Sequence, residues 1–458
     1  MDLLDSEDTA VTMRGILAYA PSFVFHSIPF MFNRMNPYLC NMISLAFIAF
    51  YKDVTMTAGF GLGNAIFMFF WQTFTQVNGE TQGIGCSKAF GAKDYKNMRL
   101  FFYRGVIWNI LITLISTVLY YYIDRILICA GFSPDMVQQA HAMVLSLIPA
   151  LYLQTYNELI RNYLMSQGVS KPFFFINIVA FIIFPFGGYY IIYASNWGIA
   201  GFGIFKFTIE FANCIGLIIA QKIYGHPESL KREPLKEILA WKDVKDYISV
   251  FGKILGGWYA GYFGLEINTV FIGISGGDIN MNCWVSYLNM FSITWTIGAG
   301  LAITTRTMCG TLLGQNKPML ARKYAFMGFV LAFVYSVLMA TLIICIRGSL
   351  ASMFTQVPEV WEPVKYQMLL AGVLVIFSGT GPIGSTIFRV IDRSGLYSMI
   401  TIMNMTIIST GISAVCMFVF NLGANASGYA FLIAFFNIFC MTVAYFSTFD
   451  WNKLYKKA

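Results

Sequence analysis

Apolar residues occur in runs of about 20 along nearly the whole chain, and this pattern restricts the possible folds more than any other feature. Each run is long enough for one helical crossing of a bilayer, and the runs lack the alternating pattern of a membrane β-barrel. Twelve runs can be delimited, at residues 28–50, 56–78, 104–123, 136–155, 173–193, 198–221, 248–275, 282–305, 324–346, 366–388, 396–420 and 426–447. We therefore predict an all-α integral membrane protein with twelve transmembrane helices.

Composition leads to the same class of protein. Hydrophobic residues make up 57% of the chain and charged residues only 11%. A soluble protein of this composition would expose large apolar patches, whereas lipid solvates such a surface directly. The first partner that we expect is the lipid bilayer.

The two halves of the chain resemble each other. Four residues of the first half recur 223 positions later, namely Cys86, Gly91, Arg99 and Gly105 as Cys309, Gly314, Arg322 and Gly328. Two further residues recur at a spacing of 227, namely Gly168 and Asn177 as Gly395 and Asn404. Because each half has an even number of runs, both halves enter the membrane from the same side, which predicts two parallel-repeat lobes of six helices. Duplicated bundles of this kind are typical of transporters.

Lys and Arg are concentrated in alternate connections between the runs. With the amino terminus in the cytoplasm, most of the 30 basic residues, Arg161 among them, fall in cytoplasmic segments. This positive-inside bias predicts that both termini are cytoplasmic. It also accounts for the net charge of +8, so we expect no nucleic-acid partner. The repeated arginines Arg99 and Arg322 are expected to reach the interface with water.

The predicted organisation has five parts. They are a cytoplasmic amino-terminal segment with a lead-in helix at 1–27, an N-lobe at 28–221, a cytoplasmic linker at 222–247, a C-lobe at 248–447 and a basic cytoplasmic tail at 448–458. The linker contains Pro227, Pro234 and mixed charges, with a short amphipathic helix expected at 235–241.

Several classes of function are excluded by what the chain lacks. The acidic residues 1–8 do not resemble a cleavable signal peptide. The nine Cys residues form no CxxC pair and the three His residues form no cluster, so we expect neither a metal site nor a disulfide framework. No Walker-type GxxxxGK[ST] sequence is present. We predict a protein that is not an enzyme and uses no cofactor.

Ionisable residues inside the runs are the candidates for a functional site, because a charge at mid-span costs about 2.5–3.5 kcal/mol on insertion scales. Glu266, in the seventh run, is the sharpest candidate, since a carboxyl there can take up and release a proton near neutral pH. Lys206 and Glu210 are four residues apart and can pair, which favours a structural ion pair slightly over a substrate site. Arg34 can face a cavity and pair with Glu80 or Glu266, and the sequence does not decide between these partners.

Polar and aromatic residues suggest where a cavity lies. Gln72, Gln76 and Glu80 follow one another at a spacing of four in the second run, so they mark a face that needs protein or water beside it. Trp258 and Tyr262 are candidates for stacking against a planar or cationic substrate.

Six segments carry a family resemblance. The run from Gly85 to Asp94 resembles the QAFGA signature of the multidrug and toxic compound extrusion (MATE) family. Five more segments are similar to family segments in the same order, at residues 27–29, 58–64, 161–172, 299–322 and 388–395. The resemblance covers nearly the whole chain.

The resemblance implies a two-lobed secondary transporter with a central cavity, which exports organic cations or amphiphilic metabolites in exchange for H⁺ or Na⁺ by alternating access. It implies a location in the plasma membrane or in a vacuolar or vesicular membrane. Glu266 fits the second of two glutamates that eukaryotic members carry five residues apart in the seventh span. The expected cavity residues are Arg34, Asn41, Gln76, Glu80, Lys206, Glu210, Trp258, Tyr262 and Asn289.

The chain also departs from the family at acidic positions. The first of the two glutamates falls on Gly261, the acidic position of the eighth span on Asn289, and that of the tenth near Ser378. The aspartate that bacterial relatives carry in the first span falls on Ser44, about one turn from Asn41. Two alternatives therefore stay open: a flippase for an anionic or lipid-linked substrate, and a MATE-like structural subunit that no longer transports. The sequence makes no prediction about oligomeric partners.

Overall fold

The structure, a computed structural model, describes residues 15, 18–49, 53–129, 131–195, 197–275, 277–354 and 358–455. These residues are helical apart from short turns. The helices of the first half are α1 (Ala20–Ala49), α2 (Val54–Ile66), α3 (Thr73–Gly91), α4 (Tyr95–Tyr121), α5 (Ile123–Cys129), α6 (Pro134–Ser166), α7 (Lys171–Gly188), α8 (Gly198–Tyr224) and α9 (Leu235–Ile238).

The second half repeats the pattern with long helices and short turns. Its helices are α10 (Trp241–Ser275), α11 (Gly277–Gly314), α12 (Pro318–Cys345), α13 (Arg347–Phe354), α14 (Pro358–Ser378), α15 (Gly381–Val390), α16 (Ser394–Thr401), α17 (Ser409–Phe418) and α18 (Ala424–Thr448). Three π-helical segments continue or join these helices, at Phe67–Gln72, Tyr189–Ala194 and Ile402–Ile408.

The apolar runs correspond to long helices. Within the described residues, eight helical stretches are long and apolar enough to cross a membrane, at Tyr95–Tyr121, Pro134–Ser166, Lys171–Ala194, Gly198–Tyr224, Pro318–Cys345, Glu359–Val390, Ser394–Phe418 and Ala424–Thr448. The other four predicted spans fall in α1, in α2 with α3, in α10 and in α11. Helix α1 runs unbroken from Ala20 through the described part of the first predicted span, and most of the predicted lead-in segment at 1–27 lies outside the described residues.

The chain forms two compact units. The N-unit comprises residues 32–251, and the C-unit comprises residues 1–31 and 252–458. In the N-unit, α6 packs along α8 and also against α2, α3 and α4, with fully buried Trp71 and Tyr120 in the core. In the C-unit, α14 packs against α11, α12 and α18, and Trp284 and Phe431 are buried there.

The repeat is visible in detailed geometry. The Sγ atom of Cys86 donates to the carbonyl of Met98 at 3.5 Å, and Cys309 donates to the carbonyl of Ala321 at the same distance. Both contacts join a helix end to the next helix across a tight turn. The same local interaction therefore closes the same turn in each unit.

The residue at the centre of that turn adopts a left-handed conformation in both copies. Lys93 has φ 57° and Asn316 has φ 60°. The next residue then donates its backbone N–H to a carbonyl five residues earlier, from Asp94 to Ala89 and from Lys317 to Leu312, each at 2.9 Å. This arrangement is the usual way to satisfy the last carbonyls of a helix.

Lys93→Gly is expected to stabilise the protein, because a left-handed conformation costs a side-chain-bearing residue roughly 1–2 kcal/mol. The entropy that glycine loses on folding offsets part of this gain, so we expect a net gain of at most about 1 kcal/mol. Asn316→Gly is the matched comparison, and its gain should be smaller because Asn tolerates this conformation better than Lys. Thermal unfolding of the purified variants measures both effects, and a lower midpoint for Lys93→Gly would contradict the expectation.

The second pair of turns corrects the sequence alignment of the repeat. Gly168 has φ 78° after α6, and the residue in the same position after α15 is Asp392, with φ 61°. Gly395 instead lies inside α16. The structural spacing is thus 224 rather than 227, and matching glycine with glycine was wrong because an aspartate occupies the second turn.

The segment between α8 and α10 is a structured part of the N-unit. It contains a 3₁₀ turn at Pro227–Leu230 and the short helix α9. Buried Arg99 of α4 donates from Nε to Glu233 at 2.7 Å. Arg104 donates from Nε to the carbonyl of Ile238 at 3.0 Å, and from Nη2 to Asp243 in the first turn of α10 at 2.8 Å. Arg99 was expected to reach water, and this was wrong because carboxylates of the linker cover it, whereas Arg322 of the second copy is exposed.

Other contacts complete the attachment of the linker. The hydroxyl of Tyr163 donates to the carbonyl of Ser229 at 3.1 Å, and His226 stacks on Tyr95 with ring centroids 4.2 Å apart. A hydrogen bond from Lys231 lowers the pKa of the Glu228 carboxyl below its usual value, so this side chain keeps its charge to a lower pH. The linker is therefore fixed to the ends of α4 and α6.

Candidate functional site

The N-unit encloses a polar cavity between α1, α3, α6, α7 and α8. It has a volume of about 40 Å³, enough for a few water molecules. Four of the residues predicted from the sequence line it, namely Arg34, Gln76, Lys206 and Glu210. The cavity is thus the place where most predicted polar residues of the first half meet.

A tight ion pair occupies the α8 side of the cavity. Lys206 Nζ lies 3.1 Å from Glu210 Oε1, as the spacing of four predicted. Asn157 of α6 donates from Nδ2 to Glu210 Oε2 at 2.8 Å. Both carboxylate oxygens are therefore engaged, which a buried charge requires.

A second group of hydrogen bonds joins α1, α6 and α7. Arg161 donates from Nη1 to Asn33 Oδ1 at 2.8 Å and from Nε to the carbonyl of Asn157 at 3.1 Å. Asn177 donates from Nδ2 to the same oxygen of Asn33 at 2.9 Å. These contacts fix the guanidinium of Arg161 inside the unit.

The contact between Arg34 and Glu80 is looser. Arg34 Nη2 lies 3.8 Å from Glu80 Oε1, which is too far for a hydrogen bond. Both side chains are mostly buried, with exposed fractions of 12% and 14%. The Nε atom of Arg34 has no hydrogen-bond partner among the described residues. Glu80, one of the two possible partners of Arg34 suggested by the sequence, lies within ion-pair distance of it.

Sequence reasoning missed the contribution of α6. Arg161 was assigned to a cytoplasmic loop, and this was wrong because α6 continues to Ser166 and buries Arg161. The missed signal is a polar stripe at helical spacing, consisting of Gln154, Asn157, Glu158, Arg161 and Asn162. The stripe begins at Gln154, next to residue 155, where the fourth predicted span ends.

Asn41 lies beside the main cavity. Its Nδ2 donates to Asn64 Oδ1 at 3.1 Å, and it lines a smaller cavity that also reaches Lys206. The π-helical segment Phe67–Gln72 ends between the two cavities, since Gln72 lines both. Segments of this kind are often found at functional sites.

The C-unit carries the other predicted residues. Trp258, Tyr262 and Glu266 follow one another at a spacing of four on α10, so they share one helix face. The rings of Trp258 and Tyr262 stack with centroids 6.3 Å apart and planes inclined at 28°. Glu266 is exposed one turn further along. Asn289 is an exposed residue of α11, and Ser378 is buried at the end of α14.

The opposite face of α10 is packed against the rest of the C-unit. Gly264 has no room for a side chain, because a Cβ atom would lie 2.4 Å from the carbonyl oxygen of Met405. Thr406 donates to the carbonyl of Ala260 at 3.0 Å on the same face. Residues 260 and 264 are two positions from 262 and 266, which is about half a turn. The packing therefore directs Trp258, Tyr262 and Glu266 away from the C-unit core.

The two units differ in chemistry although they share a scaffold. At the spacing of 223, the counterparts of Gln76 and Glu80 are Ala299 and Ile303. At the spacing of 224, the counterparts of Glu158 and Arg161 are Pro382 and Ser385. None of these four counterparts in the second copy is charged. In the part of the chain that the structure describes, no group of His, Cys, Asp and Glu residues fits a metal ion.

Comparison with known proteins agrees with the architecture. The MatE family model matches twice, over residues 29–190 and 262–419. Protein DETOXIFICATION 49 of Arabidopsis thaliana is 23% identical over 364 residues, covering 77% of this chain and 70% of the relative. Protein DETOXIFICATION 53 of the same plant is 20% identical over 81% of this chain and 77% of the relative.

Solved structures show the same fold. The crystal structure of the eukaryotic MATE transporter AtDTX14 superposes with a TM-score of 0.88 and 15% identity, over 96% of this chain and 98% of the other. An outward-facing MATE transporter of the MOP superfamily gives a TM-score of 0.87 at 14% identity. The prediction of an all-helical MATE-like membrane fold is confirmed. Because the family model covers most of the chain in two matching halves, this multi-pass membrane protein belongs to the MATE family of transporters.

Proposed function

We propose that this transporter exchanges H⁺ or Na⁺ for organic cations or amphiphilic metabolites by alternating access, with Glu266 as the coupling residue. The observation that supports this most directly is the stripe of Trp258, Tyr262 and Glu266 on the face of α10 that points away from the C-unit core. Aromatic faces attract a cationic group, and a carboxylate at the end of the stripe neutralises it.

The chemistry of exchange follows from a single carboxylate serving two ligands. When Glu266 is ionised, it can hold the positive group of a substrate beside the aromatic rings. When it binds a proton, that electrostatic attraction is lost and the cation is released. Because the same oxygen atoms cannot serve both at once, binding of one ligand opposes binding of the other. This competition is what an antiporter needs at its coupling site.

The sequence offers few rivals to Glu266 in the C-terminal half. Between residues 252 and 448 the other acidic residues are Asp278, Glu359, Glu362 and Asp392. Glu359 lies in the first turn of α14, and Asp392 lies in a turn. Glu266 is placed well inside a long helix instead, nine residues before α10 ends at Ser275.

Orientation and location belong to the same proposal. We expect both termini in the cytoplasm, because the basic residues are concentrated on the side of the linker and the tail. The membrane is taken to be the plasma membrane or a vacuolar or vesicular membrane, as for the family. Epitope tags at either end, detected only after the membrane has been permeabilised, would support this orientation.

Glu266→Gln is expected to reduce gradient-driven transport by at least an order of magnitude, because the amide binds neither a proton nor a cation by charge. The measurement is efflux of ethidium from proteoliposomes under an imposed pH gradient, repeated with an imposed Na⁺ gradient. Glu359→Gln is the control, since it removes an exposed carboxylate at a helix start.

The transport experiment has three outcomes, and each supports or contradicts the coupling role of Glu266 or transport itself. Loss of efflux in Glu266→Gln alone, with one gradient, supports the proposal and identifies the ion. Unchanged efflux in Glu266→Gln would show that coupling occurs elsewhere. A folded parent protein that is inactive under both gradients would favour a structural subunit without transport. The flippase alternative is not favoured by the N-unit cavity, where the three basic lining residues lie beside Glu158 and Glu210, with Glu80 3.8 Å from Arg34.

A further inference from the structure

The linker of the N-unit exposes large apolar side chains. Leu235 and Leu239 are 68% and 54% exposed, and Trp241 is 75% exposed. The backbone N–H of Leu239 donates to the carbonyl of Leu235 at 2.9 Å, so these two side chains lie one helical turn apart on the same side of α9. Large exposed apolar groups that lie together mark a surface for a membrane or a protein partner.

The other side of α9 is fixed to the N-unit. Ile238 is buried, and its carbonyl accepts a hydrogen bond from Nε of Arg104 at 3.0 Å. The carboxylate of Glu237 lies 2.6 Å from the Nζ atom of Lys96 in α4. The attached side of α9 therefore faces α4, and the two leucines are left on the surface.

The charges of the linker are sorted in the same way. Four acidic side chains form ion pairs inside the N-unit, namely Glu228 with Lys231, Glu233 with Arg99, Glu237 with Lys96, and Asp243 with Arg104. Four exposed basic side chains have no ion pair in the part of the chain that the structure describes, namely Arg232, Lys236, Lys242 and Lys245. Asp246 is the exposed acidic residue beside them, so four positive charges and one negative charge leave this surface with a net charge of +3.

Contacts with Arg104 indicate where this surface lies relative to the lipid. Arg104 donates to the carbonyl of Ile238 and to the side chain of Asp243, so Trp241 lies between two residues that contact the same guanidinium. Residue 104 is also the first residue of the third predicted span. Long basic side chains at a span end reach the interface with water, and Trp is enriched at the same level. The exposed apolar side chains of the linker therefore lie at the level of the lipid headgroups.

We propose that Leu235, Leu239, Trp241 and the four unpaired basic residues form a surface that docks onto acidic lipids of the adjacent membrane leaflet. The apolar side chains insert at the boundary between headgroups and acyl chains, and the basic side chains bind the anionic headgroups. A soluble acidic protein fits less well, because it would have to cover apolar side chains at a level that lipid already occupies. This inference goes beyond the proposed function, since it uses neither Glu266 nor transport.

The test measures the surroundings of Trp241 in lipid nanodiscs that contain the full-length protein. The fluorescence of Trp241 is obtained as the difference between the parent protein and Trp241→Phe. Two kinds of disc contain the same fraction of phosphatidylcholine brominated at the headgroup end of its acyl chains, and one kind also contains phosphatidylserine. Because bromine quenches only tryptophans that reach the lipid, loss of the Trp241 signal measures docking.

We expect bromine to quench the Trp241 signal at least about twofold more strongly in the discs with phosphatidylserine, because each basic side chain near an anionic surface adds a favourable interaction. High salt should remove most of this difference. Equal quenching in the two kinds of disc would overturn the role of acidic lipids. A Trp241 signal that acrylamide quenches from water, and bromine in neither disc, would overturn membrane docking and favour a soluble partner.

Lys236→Gln/Lys242→Gln tests the charges of this surface. Measured with and without Trp241→Phe, the double variant should lose most of the difference between the two kinds of disc. The control is Lys171→Gln/Lys453→Gln, which removes two exposed lysines elsewhere and should keep the parent difference. An equal loss in the control would show that only the total charge of the protein matters, and this result would contradict a specific docking surface.

Folding and coupling are separated from docking by two further measurements. Size-exclusion chromatography and thermal unfolding show whether each variant is folded, and the comparison of discs for the parent protein decides the proposal even when a variant is not. Glu266→Gln should give the same quenching of Trp241 as the parent. Both leaflets of a disc have the same composition, so docking can fail independently of the coupling role of Glu266 and of the orientation of the termini.

Discussion

Lys206→Met is expected to lower the stability of the N-unit by about 3 kcal/mol, at the lower end of the range for breaking one side of a buried ion pair. The substitution keeps a long apolar side chain but leaves the carboxylate of Glu210 without its nearest cation. The Glu210 side chain is only 5% exposed, so water cannot replace that cation. Arg161 also acts electrostatically on Glu210, which is why we expect the lower end of the range. Thermal unfolding in detergent, followed by tryptophan fluorescence, measures the change.

The double variant Lys206→Met/Glu210→Leu should recover most of this loss. Replacing a buried ion pair by apolar residues is often neutral, because the cost of removing both charges from water disappears. Asn157 keeps an acceptor in that variant, since its Nδ2 also donates to the backbone carbonyl of residue 210 at 2.8 Å. A double variant that is less stable than Lys206→Met would show that the pair contributes more than mutual neutralisation.

An exposed pair provides the control. Lys365 and Glu362 form a contact of the same length, 3.1 Å, with exposed fractions of 29% and 69%. Lys365→Met should change stability by at most about 1 kcal/mol, as is usual for surface pairs. Equal effects at the two lysines would mean that burial of the Lys206 pair has no energetic consequence.

The architecture could be predicted from the sequence because it rests on long-range regularities. Helix length in a bilayer follows from apolar length, so each of the twelve runs falls in a helix or in a continuous helical stretch. The turns were located by the spacing of 223, which recurs in the matching contacts of Cys86 and Cys309. Such features depend on many residues, so one residue that does not fit the pattern leaves the prediction unchanged.

The site could be predicted only in part, because its polar contacts cross between helices. The pair of Lys206 and Glu210 could be predicted, since both residues lie on one helix face. The contacts of Asn33 and Asn177 could not be predicted, because only packing between helices brings Asn33 to Arg161 and Asn177 to Asn33. The position of Arg161 in α6 could have been predicted from the polar stripe of that helix. Arg161 was assigned to a loop because it follows an apolar run.

The surroundings of Arg99 show why the two copies of the repeat differ at this position. An arginine after a tight turn would be solvated in either copy if nothing covered it. In the first copy the linker lies over the residue, and its carboxylates at Glu228 and Glu233 supply partners. The sequence gives the linker and the arginine separately, 134 residues apart, and no local pattern joins them.

Arg99→Ala is expected to destabilise the N-unit by about 3–5 kcal/mol, because it leaves the carboxylate of Glu233 buried without a cation. The side chains of Arg99 and Glu233 are 9% and 7% exposed, so water cannot replace the lost contact without local opening. The substitution should also release the linker from α4. We expect trypsin to cut faster after Lys231 and Arg232, which lie in the middle of the attached segment.

Arg322→Ala supplies the matched control, since Arg322 is the counterpart of Arg99 in the repeat and is exposed. It should change stability by no more than about 0.5 kcal/mol, as is usual for surface positions. Adding Glu233→Ala to Arg99→Ala should cost little more than Arg99→Ala alone, because the two residues act through one contact. Additive losses would contradict this single contact. A linker that trypsin cuts at the parent rate in Arg99→Ala would mean that it is held by the hydrogen bonds of Tyr163 to the carbonyl of Ser229 and of Arg104 to the carbonyls of Glu237 and Ile238. The arginine retained in both copies would then have no structural role specific to the first.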